Sequence, residues 1–240
     1  MPTLAITVTK MSSNQQITLY TNFDASLINF DPITRNKRGG KMCYMSYGPA
    51  KKRIFVQTPP LACPFGVGQY VDEKSGEISY SIDVAFRDLE TDAKTKAFYD
   101  KMLGLNDTIL THAVKNSGEW LGKTMSRDVV AEFYRSLIKD PKDPKYSPTM
   151  KIKIPLVNSQ PSVDIFSEDK EKVALDYVTK GSTIRCILEL KAIWFVNKNF
   201  GCTWQLVQAG VVSRPQKFVG WAFKDDDEDD ASSPVESHDF

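Results

Sequence analysis

Seven basic residues, Arg35, Lys37, Arg38, Lys41, Lys51, Lys52 and Arg53, stand within nineteen positions that hold no Asp or Glu. Tyr44, Tyr47 and Phe55 are set among them. Cationic heads neutralise phosphates and flat aromatic faces accept unstacked bases, so this interleaving suits a single strand of nucleic acid. Further candidates follow along the chain. Lys151 and Lys153 alternate with Met150, Ile152 and Ile154, and Arg185, Trp194, Lys198, Phe200 and Trp204 lie in the long apolar stretch after position 182. Core packing outweighs stacking for Trp194, Phe195 and Trp204, which lie in the most apolar hairpin, whereas for Tyr44, Tyr47 and Phe55, flanked by Lys and Arg, surface stacking and packing are evenly balanced. A single lysine is ordinarily a solvated charge, so the cluster from Arg35 to Arg53 carries more weight than any member of it.

The charge of the whole chain hides this basic character. Residues 225–240 read DDDEDDASSPVESHDF, with eight acids and no Lys or Arg, while the net charge of all 240 residues is +1. Residues 1–224 therefore carry +9. An acidic segment almost free of apolar side chains is expected to be a disordered tail, from Asp225 through Asp226, Asp227, Glu228, Asp229 and Asp230 to Asp239 and Phe240. A string of carboxylates mimics a phosphate backbone, so the tail is expected to occupy the basic groove until nucleic acid displaces it. Phe240 beside a terminal carboxylate is the feature that a partner protein would capture.

Composition and motifs exclude many other functions. A hydrophobic fraction of 41% and an aromatic fraction of 11% belong to a folded protein. No apolar run reaches membrane-spanning length, and MPTLAITVTK is not a secretory leader, so a soluble intracellular protein is expected. Cys43, Cys63, Cys186 and Cys202 are dispersed and only His112 and His238 accompany them, which argues against structural zinc and for free thiols. There is no nucleophile elbow, P-loop, zinc-protease motif or dinucleotide fingerprint, and no catalytic residue, metal or cofactor is assigned. His112 is expected to be an ordinary packed or surface histidine.

The elements that must position these residues are mostly strands. Alternation marks Thr3–Thr9, Gln16–Tyr20, Glu77–Phe86 and Thr149–Val157. Met42–Tyr47 and Arg53–Gln57 are expected to form a hairpin, and 182–196 with 202–212 a second one across NKNFG. Thr58–Gly68, with three prolines, is expected to be an irregular connection. Helical spacing predicts three helices between about 91 and 140. The first is capped by Thr91 or Asp92 and stopped at Gly104, the second follows Asn106 or Asp107, and the third runs from Ser126 to Pro141. The fold class is therefore mainly β with a helical insert (α+β). An oligonucleotide-binding-like antiparallel barrel over 1–224, its helices inserted after about the third strand, carries the tail at 225–240.

An acidic run ending in an aromatic, behind a basic body of this length, resembles the replication single-stranded DNA-binding proteins of short-tailed coliphages and their counterparts in large DNA viruses of algae and amoebae. TPPLACPFGVG (58–68), SYSIDVAF (79–86), PTMKIKIPLV (148–157) and IWFVNKNFGCTW (193–204) are similar to the large-virus branch. The resemblance implies an oligonucleotide-binding barrel, a homodimer helped by the tail, recruitment of DNA polymerase and primase-helicase, and a place in viral DNA replication, recombination and repair within the viral replication compartment. By position it covers Asp225 to Asp230, Asp239 and Phe240; the DNA-contacting residues named above come from the side chains themselves. Ser232 to Pro234 and His238 depart from a purely acidic tail. The competing expectation is a structural or scaffold protein of a virus particle, whose basic body neutralises packaged genome.

Overall fold

The computed structural model describes residues 16–36, 39–73 and 75–215. The expected strand at Thr3–Thr9, Lys37, Arg38, the aromatic stretch 217–224 and the acidic tail lie outside the described residues.

Alternating side chains give a strand one apolar face and one polar face, and a closed sheet turns all the apolar faces inward. Five strands do this here: β1 (Leu61–Cys63), β2 (Ile78–Ala85), β3 (Thr149–Ile154), β4 (Ser182–Val196) and β5 (Asn199–Ser213). Leu61, Ile82, Val84, Ile152, Leu188, Leu190, Trp204 and Leu206 are among the side chains buried inside. Registers close the circuit. Ala62 pairs with Ala85, Ile82 with Ile152, Ile152 with Trp204, Trp204 with Leu190, and Thr183 with Ala62. All contacts are antiparallel except β3 with β5, which is parallel. The chain is thus an oligonucleotide-binding-fold-like barrel with a helical insert.

The β4–β5 hairpin is its spine. Asn197 and Lys198 have φ of 48° and 68°, the left-handed pair that a two-residue hairpin turn demands. Register shifts at Thr183/Ile184, Ile187/Leu188 and Leu190/Ile193 bend these long strands enough to close the barrel. The shift after Leu190 also exchanges which residues face outward, so Glu189 and Lys191 share the outer face with Trp194.

Several expectations change in the folded chain. Thr58–Gly68 is not wholly irregular, because Leu61 and Cys63 are buried inward and make β1. Lys41–Tyr47 and Ile54–Gln57 meet only at a Tyr47–Lys52 bridge and then line up along β4, so they are not a paired hairpin. Helices α1 (Ala93–Lys115), α2 (Ser117–Leu121) and α3 (Arg127–Phe133) lie between β2 and β3, the second and third barrel strands. Asp92 caps α1, accepting from Lys94 N at 2.9 Å and Thr95 N at 3.3 Å. Gly104 does not stop α1, because the buried stripe Phe98, Met102, Leu105, Ile109 and Ala113 runs past it and outweighs one glycine. Asn106 is no cap; its amide carbonyl accepts from Tyr134 Oη at 2.7 Å and Leu137 N at 3.1 Å. The third helix ends at Phe133 rather than Pro141, since Tyr134–Arg135 pairs with β5 and Ile138–Lys139 with β3.

All four cysteines are free and buried. His112 stacks on Phe30 with ring centres 4.0 Å apart, and Trp120 stands 5.2 Å away. Among the described residues no helix is long and apolar enough to cross a membrane, and no cluster of three His, Cys, Asp or Glu is placed to hold a metal.

Candidate nucleic-acid interface

Register lays one row of outward side chains across five adjacent strands: Phe55, Glu189, Gln205, Lys153 and Ser81. Gly68, in the short strand Val67–Val71, continues it beyond β2 and leaves the row low at that edge. Lys151 and Asp83 form the next rung along β3 and β2, joined at 3.2 Å. Barrel strands two and three are the face that oligonucleotide-binding folds use for ligands.

The row opens into a cleft of about 1030 Å³. The β2 hairpin, carrying Tyr70, forms one wall and the loop through Asn158 and Ser159 the other. Lys153, Lys191 and Gln205 form the floor. Tyr70 is 62% exposed, so its ring offers a free face. Asp72 and Glu77 also line this cleft, giving it a mixed rim. Arg53 and Lys191 are both anchored on Glu189, a buried carboxylate: Arg53 Nε lies 2.8 Å from Oε1 and Lys191 Nζ 3.1 Å from Oε2. Glu189 thereby holds two half-exposed cations in place on the outer face.

Tyr44, Trp194, Arg53, Lys151 and Lys153 from the sequence-derived set share this outer face. Tyr44 lies opposite Ala192 and is 43% exposed. Trp194 is half-buried, its Nε1 donating to Thr203 Oγ1 at 3.2 Å. Its ring edge requires Gly201 beneath it, where an added Cβ would come within 2.9 Å of Trp194 Cζ2 and 2.8 Å of the Arg135 carbonyl.

Other members of the set are placed differently. Phe200 and Trp204 are wholly inside the barrel, and Phe55, though on the outward side of its strand, is only 2% exposed with Arg53 over its ring. Burial removes all three as stacking platforms. Tyr47 is half-buried on Phe23, and its hydroxyl accepts from Asp24 N. Lys41 donates to the carbonyls of Glu119 and Trp120 at 3.0 and 2.8 Å, satisfying the C-terminal end of α2, and lies over Phe195. The five described cations of the cluster therefore disperse. Arg35 donates to Gly39 O, Lys52 to Gln16, and Lys51 occupies the turn with φ 46°. Arg185 is exposed beside a separate cleft of about 530 Å³ at the far end of β4, and Lys198 sits at the exposed hairpin turn. Sequence reading missed Tyr70, Lys191 and Gln205. Their only signal was alternation: Gly68 and Tyr70 ahead of the DEKSG turn, and Glu189 with Lys191 inside an otherwise apolar run.

No curated protein matches the sequence. Among solved structures, the chain is similar to the single-stranded DNA-binding protein from bacteriophage Enc34 in complex with ssDNA, at 13% identity over 80% of this chain and 99% of that one, with a TM-score of 0.45. Two further structures, the single-stranded DNA-binding protein from bacteriophage Enc34 and a C-terminal truncation of it, each match at 12% identity and a TM-score of 0.41. They cover 82% and 79% of this chain, and 96% and 98% of theirs. A family model matches residues 81–224, from within β2 through β3, β4 and β5, and the chain accordingly belongs to the family of unknown function DUF5871.

Proposed function

We propose that the chain binds single-stranded DNA across the outer face of β2, β3 and β5. The observation that carries this is the cleft in which exposed Tyr70 faces a floor of Lys153, Lys191 and Gln205. An aromatic platform beside two cations and an amide meets the needs of unstacked bases on a phosphate chain. Lys151 extends the positive line along β3, and Tyr44 and Trp194 extend the aromatic surface past β4.

The finer role follows the resemblance of the sequence. Residues 1–224 act as one nucleic-acid-binding domain, and residues 225–240 as a tail whose acids compete for its cations. The chain coats single strands during replication, recombination and repair of viral DNA, as a homodimer, and recruits polymerase and primase-helicase through the acidic run.

Binding of a labelled oligonucleotide and of its duplex, titrated with salt, tests the proposal. The full chain is expected to prefer the single strand, and a chain ending at Lys224 to bind it more tightly. Tyr70→Ala is expected to weaken binding by about 1–3 kcal/mol. Lys153→Ala and Lys191→Ala are each expected to flatten the salt slope by about 0.7. Equal affinity for both forms of DNA, unchanged by these substitutions, would overturn the proposal and favour the scaffold role.

A further inference from the structure

A second cleft, of about 590 Å³, opens where the outward line of β3 ends. Its floor is the Thr149–Ala85 pair, both small, and these stand on the same face as Lys151 and Lys153. Phe65 overhangs from the loop after β1 and Tyr146 from the loop before β3; they are 66% and 62% exposed. Large exposed rings facing one concavity call for an occupant. The charge of the lining indicates its chemistry. Arg87, Lys139, Lys142 and Lys145 meet only Asp88 and Asp140 there. Lys145 lies 5.0 Å from the centre of the Tyr146 ring and is paired with Asp143 at 2.9 Å, while Arg87, Lys139 and Lys142 make no ion pair among the described residues. Asp143 also accepts from Lys145 N at 3.1 Å, which shapes the loop that presents Tyr146.

We propose that this cleft is a second nucleotide position on the same bound strand, with a base against Phe65 and Tyr146 and its phosphates on Arg87, Lys139 and Lys142. The proposal rests on the binding function above and deepens it. From Thr149 to Lys153 the outer edge of β3 covers about 13 Å, so one strand reaches both clefts, with Lys151 between them. The site is therefore bipartite, and its two halves engage in turn as the ligand lengthens. Aromatics and cations distributed in this way fit a strand better than a compact small molecule, which would occupy one cleft alone.

The test is fluorescence anisotropy of the full chain with oligodeoxythymidines of increasing length. The unaltered protein is expected to gain affinity in two steps. Phe65→Ala with Tyr146→Ala is expected to match it on the shortest ligands and to lose the second step, a weakening of about tenfold or more on long ones. Lys142→Glu, in an exposed loop, repeats the test without removing an aromatic ring. Tyr70→Ala, by contrast, weakens binding at every length. If Tyr70→Ala weakens binding while the other variants match the unaltered protein at all lengths, the second position is overturned and the main interface stands. Loss of self-association on sedimentation, with the two steps intact, would overturn it equally, by assigning Phe65 and Tyr146 to a second copy. If Tyr70→Ala has no effect at any length, the binding function itself fails.

Discussion

At the scale of single residues, the packed interior changes what side chains do. His112 is the clearest case. Burial against Phe30 and Trp120 lowers its pKa from 6.5, Lys115 lowers it further, and Glu119 opposes both. A histidine with a depressed folded pKa binds fewer protons when native than when unfolded. Its stabilising contribution is complete above pH 6.5 and is lost as pH falls from there through the folded value. Urea melts at pH 7.5 and 5.5 are expected to show lower stability at the acid pH, with His112→Gln losing part of that slope; an identical slope in the variant would contradict it. Lys41 shows a similar change of role. Its place among seven cations suggests phosphate binding, but its ammonium is spent on two helix-end carbonyls. Spacing along a chain gives no sign of which carbonyls will later lack donors.

At the scale of elements, α1 supplies the most direct test. Gly104 lies on its exposed side, where a Cβ would meet nothing within 4 Å. Gly104→Ala is expected to stabilise the protein by about 0.5–1 kcal/mol, read as a higher denaturant midpoint with unchanged slope. The strongly periodic elements were legible in the sequence. Glu77–Phe86 contains β2, Thr149–Val157 contains β3, which stops at Ile154, and the long hairpin is present with its turn narrowed from NKNFG to Asn197 and Lys198, because alternation and turn chemistry are local signals. Elements defined by distant partners were not legible. Leu61–Cys63 is too short to announce a strand and is one because β4 and β2 pair with its two edges. Tyr134–Arg135 continues a helical stripe yet leaves the helix to pair with β5. The candidate site divides similarly: Lys151 and Lys153 were visible as the polar half of an alternating strand, whereas Lys191 and Tyr70 join them only through the register of β5, β3 and β2.

At the scale of the molecule, the barrel must open for its interior to react. Cys63, Cys186 and Cys202 belong to β1, β4 and β5, and Cys43 to the strand beside β4; all four are buried. Burial raises every thiol, holding those of Cys43 and Cys202 at about 12, so thiolate is scarce as well as inaccessible. Iodoacetamide labelling across a urea series, read by mass spectrometry, is expected to give species with no adduct or four. A stable population with one or two would show that the barrel opens piecemeal. Closure also sets a timetable for synthesis. β1 has no partner on one edge until β4 exists, and β3 lacks β5 until the last described strand is made. At about 5–20 residues per second, the interval from Cys63 to Ser213 lasts roughly 8–30 s on the ribosome. For roughly the last 3–12 s of that interval, after Ile154 is made, the free edge of β3 is guarded by Lys151 and Lys153, charges of the kind that deter pairing with other chains. The lysines proposed to meet a ligand in the finished protein thus serve first as protection for an unfinished one.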